Sequence, residues 1–134
     1  MLIVEDNQAD VYLIEEAIGA TKLPLSLHIV KDGDQAVRFF DQADNDPAAP
    51  CPSLVILDIN LPKRQGGEVL KHMRASRKCA EALVIAISTS DAAQDRAQMK
   101  SLGANWYFRK PSAYAEFMKL SEVVKTLLSD TVLE

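Results

Sequence analysis

Five side chains of complementary chemistry stand at the ends of four short apolar runs. Ile3-Val4 leads into Glu5-Asp6, and Leu54-Val55-Ile56-Leu57 into Asp58. Leu83-Val84-Ile85-Ala86-Ile87 ends in Ser88, and Trp106-Tyr107-Phe108 in Arg109-Lys110-Pro111. Adjacent acids repel unless a cation relieves them, and carboxylate oxygens are the hard ligands that Mg²⁺ prefers. An aspartate can also attack phosphorus and form an acyl phosphate. A lysine ammonium supplies compact positive charge for phosphate, and a serine hydroxyl supplies a donor. Each residue alone has a plainer reading. A lone Glu-Asp is a solvated turn, a lone serine an N-cap for the helix that follows, and a lone lysine a surface charge. Taken in order, the set suits a divalent metal and a phosphoryl group.

Such convergence requires the four run ends to share one edge of a sheet. Short continuous apolar runs separated by helical patterns read as parallel strands buried on both faces. The C-terminal edge of such a sheet is where open α/β proteins bind ligands. Strands are expected at residues 2–4, 25–30, 54–58, 83–88 and 104–108. Between them, a helix over about 8–19 carries Val11, Ile14 and Ile18 on one face, with Asn7 as its N-cap. Asp32-Gly33 signals a turn, and Ala36, Val37 and Phe40 give the second helix its stripe. Pro47, Pro50 and Pro52 mark a loop. Val69, Leu70 and Met73 mark the third helix. The fourth runs from about Asp91 to Leu102 and stops at Gly103. A last helix starts near Pro111, with Phe117, Leu120, Val124 and Leu127 at helical spacing. A cis bond at Lys110-Pro111 would aim the lysine inward. Regular β-α alternation implies right-handed crossovers and helices on both faces.

Composition narrows the class. The 134 residues suit one domain with a real core; 48% are hydrophobic and 25% charged, as in ordinary globular chains. A net charge of -4 argues against nucleic acid as partner. No stretch approaches the length of a membrane span, and a cytoplasmic location is expected. Cys51 and Cys79 are not in a C-x-x-C pattern and are expected to be reduced, incidental thiols. His28 in a strand and His72 on a helix have no partner at ligand spacing, and read as packing or surface residues.

The ordered set resembles a response-regulator receiver domain over essentially the whole chain. Glu5-Asp6-Asn7, Asp58, Leu61-Pro62-Lys63, Ser88-Thr89-Ser90 and Tyr107-Phe108-Arg109-Lys110-Pro111 carry the resemblance. It implies a flavodoxin-like (βα)5 fold, an open parallel sheet of strand order 2-1-3-4-5 with helices on both faces. Residues 1–134 would form a single receiver domain with no output domain. The resemblance further implies Mg²⁺ on Glu5, Asp6, Asp58 and the backbone carbonyl of Asn60. Asp58 would accept phosphate from the phosphohistidine of a sensor histidine kinase. Ser88 would bond the phosphoryl oxygen, Lys110 would pair with it, and Tyr107 would be the aromatic that changes rotamer. More narrowly, the Glu-Asp-Asn-x-Ala-Asp start, the Leu-Pro-Lys loop and the Ser-Thr-Ser triplet resemble single-domain regulators partnered with bacterial phytochromes. Members often dimerise through the fourth helix, fifth strand and fifth helix, a face to which Trp106 and Phe108 would contribute unless they belong to the core.

Several positions depart from the pattern. Arg64-Gln65-Gly66-Gly67 stands where an aspartate commonly precedes one glycine, so a capping charge is lost and two glycines soften the third helix. Ser88 replaces the commoner threonine but keeps the hydroxyl. The chain starts almost at its first strand, which is therefore expected to fray or to lack residues upstream. Competing readings fare worse. A flavodoxin-like cofactor binder needs a phosphate loop where Glu5-Asp6 would repel it. A phosphorylation-independent interaction module would have no use for the intact acids and lysine. A phosphatase with Asp58 as nucleophile lacks a general acid two residues on, where Asn60 stands. The expected protein is a signalling switch that catalyses its own phosphorylation and hydrolysis, with output through another protein or a phosphorelay.

Overall fold

The computed structural model describes residues 1–132. Five strands, β1 (Leu2–Val4), β2 (His28–Val30), β3 (Leu54–Asp58), β4 (Leu83–Ser88) and β5 (Trp106–Arg109), form one parallel sheet in the order β2-β1-β3-β4-β5. Helices α1 (Gln8–Ala20), α2 (Gly33–Asn45), α3 (Gly66–Arg74) and α4 (Ala93–Ser101) fill the crossovers, and α5 (Tyr114–Phe117) and α6 (Leu120–Val132) close the chain.

The side-chain alternation of the strands explains their continuous apolar character. Leu2, Val4, Val55, Leu57, Val84 and Ala86 point to one face, where they meet Phe40 of α2, Leu70 and Met73 of α3, and Met99 of α4. Ile3, Leu54, Ile56, Ile85 and Ile87 point to the other, against Ile14 and Ile18 of α1 and Phe117, Leu120 and Val124. Both faces are thus covered, and the sheet lies between two apolar layers.

Most elements lie where periodicity puts them, and the differences have physical reasons. β1 is fully buried and does not fray: it sits between β2 and β3, and the Met1 ammonium donates to the Ser26 carbonyl at 2.9 Å. β2 spans only three residues instead of the expected six. It is an edge strand whose one neighbour, β1, is itself three residues long, with Leu2, Ile3 and Val4 opposite His28, Ile29 and Val30. The last helix begins at Tyr114 rather than at Pro111 and is interrupted at Met118 and Lys119. α4 starts at Ala93, so Ser88 is not its N-cap; the Ser90 hydroxyl instead accepts the Ala92 N–H. Gly103 follows α4 with φ +105, the conformation expected of a residue that ends a helix.

Cys51 and Cys79 form a disulfide, contrary to the expectation of free thiols. They lie just before β3 and β4, neighbours that start side by side with Leu54 opposite Leu83. The same rim is tied in other ways. Lys78 Nζ donates to the carbonyls of Asp46 and Ala49, and the Asp44 carboxylate accepts from the Ser76 hydroxyl and the Lys78 N–H. The Arg74 guanidinium gathers the carbonyls of Ala80, Ala82 and Gly103 at 2.6–2.7 Å. His72 is an α3 surface residue paired with Asp41, and His28 lies against the Phe39 ring.

Candidate phosphoacceptor site

Asp58 is the last residue of β3 and is 4% exposed. Its Oδ1 accepts the Asn60 N–H at 2.9 Å, which fixes the carboxylate at the head of the loop. That loop folds tightly back onto the strand end. The Gly66 N–H donates to the Ile59 carbonyl at 3.0 Å, and a Cβ on Gly66 would stand 2.5 Å from Ile59 Cα and 2.6 Å from the Asp58 carbonyl oxygen. Gly66 is therefore required by close approach and does not merely loosen α3. Gln65 is the N-cap of α3 without a side-chain cap bond, so the expected loss of a capping charge stands. On the far side, a Cβ on Gly33 would be 2.4 Å from Arg64 Cβ, and Lys63 takes a left-handed φ of 69. Two glycines without a Cβ thus let the loop settle between β3 and α2.

Glu5 follows β1 directly and is fully buried, whereas Asp6 is exposed at its side. Oxygens of Glu5, Asp6 and Asp58 all lie within 4.8 Å of one another. Lys110, after β5, reaches into the same space. Its Nζ is 2.8 Å from Glu5 Oε2, 2.8 Å from Asp10 Oδ2 and 3.2 Å from Asp58 Oδ2. No cis peptide occurs among the described residues, so Lys110-Pro111 is trans; the inward aim comes instead from β5, where the Lys110 N–H bonds the Ser88 carbonyl at 2.7 Å.

The electrostatics follow from burial. The Glu5 carboxyl is pushed up to about 8 by desolvation and by its bond to Asp58, which together outweigh Lys110. Burial works against the Lys110 ammonium, yet the carboxylates of Asp10, Glu5 and Asp58 hold its pKa above the ordinary lysine value. A buried acid that resists ionisation beside a second carboxylate is one that a cation would relieve. The all-oxygen donor set fits a hard divalent metal.

Ser88 ends β4 and is almost fully buried. Its Oγ accepts from the Ser90 N–H at 3.0 Å and the Asn60 Nδ2 at 3.4 Å, which leaves its own O–H to donate. Tyr107 on β5 is half-buried; its hydroxyl donates to the Ser90 carbonyl at 2.9 Å, and Arg96 lies 4.6 Å over its ring. The structure thus gathers Glu5, Asp6, Asp58, Ser88 and Lys110 at one sheet edge, with Asn60 beside them and Tyr107 one loop away. Asp10 is the member that strand-end reasoning missed. It lies in the first turn of α1, and its place in the Glu-Asp-Asn-x-Ala-Asp start was the available signal.

Comparison with known proteins settles the family. Residues 1–122 match the response regulator receiver domain. The chain belongs to the response regulator receiver family. Among its relatives is the response regulator Rcp1 of the cyanobacterium Synechocystis, 30% identical over 98% of this chain and 90% of that protein. A crystal structure of the phosphorylated cyanobacterial phytochrome response regulator RcpA superposes with a TM-score of 0.84 at 30% identity, covering 97% of this receiver and 93% of that chain. The Mn²⁺-bound form of Rcp1 gives a TM-score of 0.81 at 30% identity, over 93% and 90%. The flavodoxin-like order 2-1-3-4-5 is that of the family. This receiver is therefore a two-component signalling switch with phytochrome-associated relatives, in a family phosphorylated on aspartate by histidine kinases. Among its described residues no helix is long and apolar enough to cross a membrane.

Proposed function

We propose that this receiver takes a phosphoryl group onto Asp58 from the phosphohistidine of a sensor histidine kinase, a bacterial phytochrome being the favoured partner. The observation that carries the reading is the buried Asp58 carboxylate, 3.2 Å from the Lys110 ammonium and within 4.8 Å of the other two acids. Glu5, Asp6, Asp58 and the Asn60 carbonyl would hold Mg²⁺, which when bound neutralises phosphoryl oxygens and draws the donor into the acidic cleft.

An Asp58 oxygen attacks phosphorus in line. The O–P bond forms as the N–P bond breaks, and its electron pair returns to the imidazole nitrogen. Little covalent work falls to the other residues, whose task is positioning and charge. Asn60 N–H orients the nucleophile, and Lys110 faces the charge that accumulates on the transferring group. The product carries about -2 charge and strong acceptor oxygens, to which Ser88 turns its free O–H. Ser90 accepts from Tyr107 and donates to Ser88, so a shift of Ser88 reaches the aromatic directly. The response then spreads to α4 and β5, where Trp106 is exposed and Phe108 is packed on Phe117. A homodimer through α4, β5 and the last helix, or a downstream protein, would read it.

The test is intact mass after incubation with acetyl phosphate and Mg²⁺. A labile phosphoryl adduct is expected on the wild type and absent from Asp58→Asn and from the EDTA control. Absence of any adduct on folded protein with Mg²⁺ bound would overturn the reading in favour of a phosphorylation-independent interaction module.

A further inference from the structure

Lys110 has three N–H donors and, in this structure, three carboxylate partners. Two of them, Glu5 and Asp58, belong to the acidic trio, and the third does not. Asp10 stands on α1 instead, its side chain 24% exposed, and takes the ammonium at 2.8 Å, as short a contact as that to Glu5. A divalent cation arriving on Glu5 and Asp58 would take their oxygens and repel the ammonium that shares them. The lysine side chain itself is only 9% exposed, so it has little water to retreat into.

We propose that Asp10 is a positioning residue for Lys110: it holds the ammonium, charged and inside the site, when a divalent cation claims Glu5 and Asp58. The inference rests on the site reading above and adds to it a residue outside the metal trio. Asp10 lets one lysine serve two states without leaving. Before the metal binds, the ammonium offsets the buried acids. Afterwards it is parked on α1, one short swing from the place where a phosphoryl oxygen will arrive. Without Asp10 the ammonium stays on Glu5 and Asp58 and competes with the cation for the same oxygens.

The competition is measurable as coupling between two side chains. Mn²⁺ affinity is read from the electron paramagnetic resonance signal of the free ion, for wild type, Asp10→Asn, Lys110→Met and the double variant. Asp10→Asn keeps its backbone N–H on Asn7 Oδ1, so the α1 cap is retained, and circular dichroism verifies folding. In the presence of Lys110, Asp10→Asn should weaken Mn²⁺ binding roughly tenfold, within the coupling range of contacting residues. In the Lys110→Met background the same change should cost no more than about twofold, the residue of a through-space charge. Equal losses in both backgrounds would reduce Asp10 to a nearby negative charge and overturn the proposal, as would no loss in either. Failure of the wild type to bind Mn²⁺ would sink the metal reading as well, whereas binding with additive losses sinks only the role of Asp10.

Discussion

Glu5 makes the stability of this receiver depend on pH in a direction opposite to that of most carboxylates. Its folded pKa is pushed up to about 8 from an ordinary 4.5 by burial and by Asp58. Between those values the folded protein keeps a proton that the unfolded chain has released. Stability is therefore fully present below about 4.5, falls as pH rises through 8, and is flat beyond. A gap of roughly 3.5 pH units at 1.36 kcal/mol each sets a ceiling near 5 kcal/mol. Exposed Asp6 lets solvent reach the cleft, and a screened value of about 2 kcal/mol is the working figure. Lys110, whose pKa is raised, adds stability that is lost only in strongly alkaline solution, outside this window. The assay is urea unfolding followed by circular dichroism at pH 5, 6.5 and 8.5 in EDTA. With a slope of about 2 kcal/mol per molar, the midpoint should fall by about 1 M across the series. Glu5→Gln should flatten the dependence. Mg²⁺ at a hundred times its Kd should add about 2.7 kcal/mol at pH 8.5, more than offsetting that loss. A wild-type midpoint that rises with pH, or an unchanged slope in Glu5→Gln, would refute the argument.

Three further outcomes follow from geometry already described. Gly66→Ala should destabilise the fold by about 1–3 kcal/mol and slow phosphorylation of Asp58, because its Cβ collides with backbone and not with a movable side chain; thermal melts and intact mass would check both. Reducing the Cys51–Cys79 bond, or replacing both residues with serine, should cost about 2–4 kcal/mol for a loop of this length, read as a shift in urea midpoint. Tyr107→Phe keeps the ring but removes the bond to the Ser90 carbonyl. It should leave adduct formation intact and loosen the α4 response, visible as faster amide exchange in the β4–α4 loop without phosphorylation.

The strand ends were legible because buried parallel strands must be apolar until they reach solvent, so the first polar residue marks the sheet edge. That logic reaches Glu5, Asp58 and Ser88 directly, and Lys110 one residue past Arg109. It cannot reach Asp10, which is carried by a helix turn and looks like any solvated acid there. The disulfide was hidden for a different reason. A separation of 28 residues says nothing by itself; the pairing follows only once β3 and β4 are known to be neighbours, since residues preceding adjacent parallel strands lie side by side. The glycines of the Gln65 loop misled because flexibility and close approach leave the same residue in the sequence. Only the 2.5 Å gap above Gly66 separates the two. The short β2 reflects its place at the edge, where one neighbour is missing and propensity has less support.

The disulfide, the Arg74 guanidinium and the Lys78 ammonium all fasten the same rim of the sheet, the one opposite the acidic cleft. Mechanically the molecule is a cantilever: its root is clamped by a covalent bond and by carbonyls gathered onto two cations, and its tip is the row of loops around Asp58. A load applied at the tip bends the tip. In the proposed switch, charge deposited on Asp58 would thereby not dissipate as a rigid rocking of the whole sheet, and its displacement would fall on the few residues between Ser88 and Asp95 that bridge the cleft to α4.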